Sequence, residues 1–189
     1  MKDFLTRPAW IEINLDNFEN NIKEIKSIIT PGTEIMSVVK SDAYRLGAIP
    51  LSYVSRELGI KFYGVATLSE ALRFKKEFPD TSVLILGYTP AHLFEDAVKN
   101  DITLTIYTLE DAIKLDEIAG DLDKIAKLHL AVDSGMSRIG FIPGENSLKK
   151  LKNYLSLKIF LLKEFFLTLQ PVNQIQNLQK DNLQLLQIL

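Results

Sequence analysis

A chain of 189 residues, 47% of them hydrophobic, is long enough to bury a real core as one domain of ordinary size. Its net charge of −2 gives no reason to expect a nucleic acid or an anionic membrane as partner, and the absence of cysteine excludes a disulfide framework or a thiolate metal site. A cysteine-free chain also fits a reducing compartment, and Met1 to Pro8 carries no apolar signal core, so a soluble cytoplasmic protein is expected.

Residues 9–15 alternate apolar and polar side chains, with Trp10, Glu12 and Asn14 on one side and Ile11, Ile13 and Leu15 on the other. That spacing predicts a half-buried strand. Asp16 can then cap a helix to about Thr30, with Phe18, Ile22, Ile25 and Ile29 on one face, and Pro31-Gly32 ends it. The β-branched run over 35–39 reads as a buried strand, closed by Lys40 and a polar loop. A helix follows over 48–58, stopped by Gly59, and then a strand over 62–66. Thr67 caps a helix over 68–78, with Glu70 at the capping-box position. Strands over 83–87, 102–107 and 125–132 alternate with helices over 91–99 and 109–118.

Strands alternating with helices over short connections indicate βαβ units and a parallel sheet. The right-handed crossover leaves two closures, a (β/α)8 barrel or an open doubly wound sheet. No glycine-rich dinucleotide fingerprint follows any strand, which weighs against a nicotinamide-binding domain. In both closures a site forms just past the carboxyl ends of the strands. Lys40 and the segment from Asp133 to Arg138 occupy that position. A lysine is rarely buried without a partner, and a desolvated lysine amine is what Schiff-base chemistry uses. The plainer alternative is an ordinary lysine with its head in water.

Three segments sharpen this reading: Arg7-Pro8-Ala9-Trp10-Ile11-Glu12-Ile13-Asn14-Leu15, Val38-Val39-Lys40-Ser41-Asp42-Ala43-Tyr44, and Asp133-Ser134-Gly135-Met136-Ser137-Arg138-Ile139-Gly140-Phe141. In these the chain resembles the N-terminal part of alanine racemase, an isomerase dependent on pyridoxal 5′-phosphate and built on a (β/α)8 TIM-type barrel with a further β-domain. The likeness runs from about Arg7 to Asn153. It implies that Lys40 holds the cofactor as a Schiff base and is the base for the α-proton on the D-alanine face. Tyr44 would contact the cofactor phosphate. Arg138 would donate to the cofactor's phenolic oxygen and help place the substrate carboxylate, with the Met136 backbone nearby. The implied reaction interconverts L- and D-alanine, supplying D-alanine for cell-wall peptidoglycan, and the full-length family is homodimeric. Two other readings are a cofactor-binding barrel without turnover and a racemase for another amino acid such as serine.

The chain departs from the family pattern in two places. After Tyr44 the family usually has glycine, whereas this chain has Arg45-Leu46-Gly47. Glycine there permits close approach to the phosphate or an unusual dihedral; an arginine either adds a phosphate contact or crowds the site. Ala131 stands where many relatives carry a lysine that becomes carbamylated and orients the arginine. His92, at a helix start, and His129, within a strand pattern, read as structural. No His/Asp/Glu cluster has metal-ligand spacing, and Asp121 and Asp123 read as a solvated turn.

The composition changes after Asn153. All glutamines lie from Gln170 onward, no alanine follows Ala131 and no glycine follows Gly144. Residues 155–169, which include Lys158, Lys163 and Glu164, are too short and charged a run for a membrane span. One reading is an amphipathic helix. The sharper one is a reading-frame shift near Lys158, since restoring one A in plausible codons returns a segment resembling the family's next barrel strand. The expected division is therefore 1–157 as part of the cofactor-binding barrel and 158–189 as an aberrant tail. A (β/α)8 barrel takes about 250 residues, so the chain alone is expected to be poorly folded and inactive.

Overall fold

The computed structural model describes residues 10–133 and 138–141, together with the backbone of residues 160–168. The elements run α1 (Leu15–Ile28), β1 (Met36–Val38), a one-turn element α2 (Lys40–Tyr44), α3 (Ala48–Glu57), β2 (Phe62–Val65), α4 (Leu68–Glu77), β3 (Ser82–Ile85), a 3-10 turn (Ala91–Leu93) leading into α5 (Phe94–Lys99), β4 (Thr103–Ile106), α6 (Leu109–Asp121), β5 (Ala126–Asp133) and β6 (Phe160–Thr168). All neighbouring strands pair in parallel, and the sheet order is β1-β2-β3-β4-β5-β6.

That order decides between the two closures. A doubly wound sheet reverses its strand order at a switch point, and here the order never reverses. Curvature supplies the second argument. The Phe62 and His129 rings lie 5.9 Å apart although they stand on β2 and β5. Those strands are three steps apart, about 14 Å across a flat sheet, so the sheet curls and brings its inner faces together. The fold is a (β/α)8-type barrel, incomplete among the described residues, with β1 and β6 as its edges.

The two faces of the sheet carry different chemistry because side chains alternate along each strand. Tyr63 and Val65 of β2, Val83 and Ile85 of β3, Leu104 and Ile106 of β4, and Leu128 and Leu130 of β5 point outward to the helices. They pack on Leu68, Ala71 and Phe74 of α4, Phe94 and Ala97 of α5, and Ala112, Leu115 and Ala119 of α6. The inner face carries Phe62, Leu84, Thr105 and His129, with Thr105 Oγ1 donating to the Ile85 carbonyl at 2.6 Å. His129 is buried, at 2% exposure, within its strand.

Helix starts follow their caps. Thr67 Oγ1 accepts from the Glu70 amide at 3.4 Å, and Thr108 Oγ1 from the Asp111 amide at 3.1 Å. Asn14 rather than Asp16 caps α1, its Oδ1 accepting from the Asn17 amide at 2.8 Å, and Asp16 sits in the first turn where its charge favours the helix dipole.

Three expectations are corrected here. Residues 10–14 form no strand, and Trp10 (58% exposed) and Ile11 (72%) face outward. Their alternation is real, since Trp10 Nε1 donates to Glu12 Oε1 two residues on, but no partner strand lies beside them among the described residues. Ile25 of α1 is 45% exposed instead of buried, because α1 seats through Ile22 and, in part, Phe18. Residues 160–168 form β6 against β5, not part of a helix, with a register shift at Leu128/His129. Among the described residues no helix is long and apolar enough to cross a membrane.

Candidate active site at the carboxyl ends of the strands

Val39 closes β1 by donating its amide to the Gly64 carbonyl at 2.8 Å, and Lys40 follows as a half-buried residue on the rim. The chain then turns left-handed through five consecutive non-glycine residues: Ser41 (φ 53), Asp42 (55), Ala43 (50), Tyr44 (56) and Arg45 (73). Each such residue costs roughly 1–2 kcal/mol, aspartate being among the more tolerant. A local ladder offsets this. Ala43 donates to the Val39 carbonyl at 2.8 Å, Arg45 to Ser41 and Gly47 to Asp42 at 3.0 Å, and the Ala43 methyl is buried. The Asp42 carboxylate accepts the first amide of α3, from Ala48 at 2.8 Å, where it also meets the helix dipole.

The turn returns Tyr44 beside the lysine, with Lys40 Nζ 5.8 Å from the Tyr44 ring centroid. Tyr44 is 59% exposed. Arg45 takes the left-handed position that ends the turn, which explains in dihedral terms the glycine usual there. Its side chain lines an outer groove between α3 and α4 with Arg73, Lys76 and Glu77. Arg45→Gly is expected to raise stability by about 1 kcal/mol, since it relieves a left-handed side chain at some cost in chain entropy. A urea unfolding midpoint lower than that of the unaltered chain would contradict this.

Other strand ends complete the rim. Tyr107, just past β4, donates its hydroxyl to the Leu86 carbonyl. Burial raises its pKa, while a hydrogen bond with Thr105 and the nearby Arg138 guanidinium pull it down. Arg138 is itself exposed. Residues 138–141 lie back against the end of β5, with Asp133 donating to the Phe141 carbonyl at 2.9 Å and Phe141 to the Ala131 carbonyl at 2.8 Å. Gly140 (φ 136) permits that approach, because a Cβ there would stand 2.7 Å from the Asp133 nitrogen. Lys40 and Tyr44 are thus neighbours, and Arg138 follows β5 at the same end of the sheet. Met136 lies outside the described residues. Ala131 is buried and its methyl carries no charge to orient Arg138. His92 is exposed in the 3-10 turn, as are Asp121 and Asp123 at the end of α6.

Sequence reasoning missed the second task of Glu70. It stands at the capping-box position, but its carboxylate does not close the box. Oε2 accepts from the Ala66 amide at 2.8 Å and Oε1 from the Ser41 amide at 3.2 Å. No local signal marks the Ser41 bond, which spans 29 residues.

A curled sheet of consecutive parallel strands, with a lysine after the first and an arginine after the fifth, defines part of a (β/α)8-type barrel, a class that carries its sites at the strand carboxyl ends. The family model for the alanine racemase N-terminal domain matches residues 13–184, and the chain belongs to that family, a family of isomerases. It is 40% identical over 145 residues to alanine racemase 1 of Oceanobacillus iheyensis, covering 77% of this chain and 39% of that protein. It is 39% identical over 154 residues to the alanine racemase of Methanococcus maripaludis, covering 82% and 41%. The chain therefore spans about 40% of the length of these curated relatives. Among solved structures, alanine racemase of Clostridium difficile 630 in complex with cycloserine superposes with a TM-score of 0.88 at 35% identity, over 95% of this chain and 50% of that one. Histidine racemase of Leuconostoc mesenteroides superposes at 0.82 with 26% identity, over 95% and 49%.

Proposed function

We propose that the chain is the lysine-bearing part of an alanine racemase that uses pyridoxal 5′-phosphate. The observation that carries this is Lys40 on the rim directly after β1, set by the left-handed turn beside Tyr44. The donor set fits the cofactor: a half-buried amine for its aldehyde, an exposed phenol for its phosphate, and an exposed guanidinium for its phenolic oxygen. When bound, the group supplies an electron sink for the charge left by proton removal.

In this reading Lys40 Nζ serves the D-alanine face of the substrate Cα: it takes the proton there from D-alanine, and delivers one there when the proton of L-alanine has left from the opposite face. Arg138 neutralises an oxyanion without itself titrating, and with the Met136 backbone it helps place the substrate carboxylate. The Tyr44 hydroxyl donates to the phosphate. The product is D-alanine for cell-wall peptidoglycan, made in the cytoplasm by a homodimer. By the resemblance, the base for the L-alanine face is a tyrosine of the family's β-domain. Among the described residues β1 and β6 are open edges, which favour association.

The test is to mix the purified chain with pyridoxal phosphate and follow absorbance, borohydride trapping and exchange of the alanine α-proton. Trapped cofactor on Lys40, lost in Lys40→Ala, is the expected result. Attachment at other lysines, or equal attachment in Lys40→Ala, would overturn it. Attachment without α-proton exchange would mark a binding module. The likeness to a histidine racemase favours one rival substrate class, so exchange on histidine and serine belongs beside alanine.

The tail enters the same proposal. Its shift in composition speaks for a changed reading frame near Lys158, while the family match to residue 184 and the pairing of β6 with β5 speak for the segment as written. We hold to the changed frame. Coding DNA over codons 150–170 from independent clones, with one further A, would establish it, and an unchanged frame would dismiss it.

A further inference from the structure

We infer that Glu70 is a positioning residue for Lys40. Its carboxylate ties the Ser41 amide to the Ala66 amide and so fixes the turn that aims the lysine amine; the functional side of this inference rests on the reading of Lys40 as the cofactor lysine.

Ser41 is the residue immediately after Lys40, and the left-handed run begins there. The remaining hydrogen bonds of the turn are internal or reach α3: Ala43 to Val39, Gly47 to Asp42, and Ala48 to the Asp42 carboxylate. They set the shape of the turn, and the Val39 amide on the Gly64 carbonyl anchors its start to β2 on one side of Lys40. Glu70 supplies the second anchor, on the other side of Lys40. It stands in the first turn of α4, whose start is fixed by Thr67, and its two oxygens take amides from two successive strand ends, Ser41 after β1 and Ala66 after β2. Only a carboxylate offers two acceptor oxygens at that reach. A glutamine there would accept one amide and oppose the other with its own N–H₂. A helix that needed only a capping box would have sent this side chain back to Thr67.

The experiment compares Glu70→Gln, Glu70→Ala and Thr67→Ala in the full chain. The first reading is hydrogen exchange at the Ser41 and Ala66 amides. The second is the rate at which Lys40 is acetylated by acetic anhydride across a pH series, read by peptide mass spectrometry. Thr67→Ala removes the cap hydroxyl of α4 without touching either amide, so it reports a merely structural loss. Glu70→Ala is expected to speed Ser41 exchange by about tenfold, the factor carried by one charge-assisted hydrogen bond, and to shift the Lys40 acetylation profile. Glu70→Gln should do the same in lesser degree, and Thr67→Ala should leave the Lys40 profile unmoved.

The inference is overturned if Ser41 and Ala66 show no protection in the unaltered chain. It is also overturned if Glu70→Ala leaves both readings unchanged, or if Thr67→Ala moves the Lys40 profile as far as Glu70→Ala does. Neither reading needs bound cofactor. If the unaltered chain takes up no pyridoxal phosphate, the reading of Lys40 as cofactor lysine falls, and exchange and acetylation still decide the role of Glu70.

Discussion

Phe74→Ala is expected to remove about 3–5 kcal/mol of stability, a large fraction of what a domain of about 5–15 kcal/mol possesses. Phe74 is 3% exposed on the sheet-facing side of α4, its ring 4.7 Å from Tyr63 of β2 and 5.0 Å from Phe78. Phe78 in turn meets Tyr53 of α3 edge-on at 5.0 Å and lies under the Arg56 guanidinium at 4.9 Å. Truncation therefore opens a cavity at the one cluster that joins α3, β2 and α4. The Arg56–Asp80 ion pair beside it gives little compensation, since Asp80 is exposed and such pairs are worth under about 1 kcal/mol. Phe74→Leu keeps most of the volume and is expected to cost less than half as much. Urea midpoints of the two variants decide the matter; a loss below about 1 kcal/mol for alanine would mean that α4 collapses onto the sheet and heals the cavity.

The same cluster shows why much of the fold was legible in the sequence. Leu68, Ala71 and Phe74 recur at helical spacing after a threonine cap, and Tyr63 and Val65 alternate along a short strand, so local periodicity already sorted the buried side chains. The place of Lys40 just past the first strand was legible for a related reason, because an apolar run ended on a charge; the role expected of it came from the resemblance, since spacing alone favoured an ordinary solvated lysine. What lay outside local pattern was missed. Residues 41–45 contain no glycine, and nothing in Ser-Asp-Ala-Tyr-Arg announces five left-handed residues; the turn is held by its own short bonds together with Glu70, which lies 29 residues from Ser41. The strand expected over residues 9–15 failed for the converse reason, since alternation makes a strand only where a neighbour offers a ladder. Barrel and open sheet share the same local sequence signals, and only strand order and curvature, both tertiary, separate them.

Gly87→Ala carries the second large effect, and it joins the packing of the barrel to the site. A Cβ on Gly87 would stand 2.4 Å from the Ala66 carbonyl oxygen, closer than real side chains approach, and the obstacle is backbone, which cannot swing aside like a side chain. Two movements can relieve it. The end of β3 can lift, which strains the bond from the Leu86 amide to the Val65 carbonyl, now 2.8 Å. Alternatively the carbonyl of Ala66 can swing away, disturbing the end of β2 whose amide Glu70 holds and, through Glu70, the Ser41 amide next to Lys40. Either route is expected to cost about 3 kcal/mol, in the range of forced backbone shifts in a packed region. Gly32→Ala is the control: that glycine has open space around it but φ +90, so its replacement costs only the left-handed penalty of roughly 1–2 kcal/mol. The second movement alone would also loosen Ser41, so faster exchange at that amide in Gly87→Ala, absent in Gly32→Ala, would show strain at the end of β3 reaching the lysine turn. A Gly87→Ala chain no less stable than Gly32→Ala would show instead that β2 and β3 separate at their ends without loss.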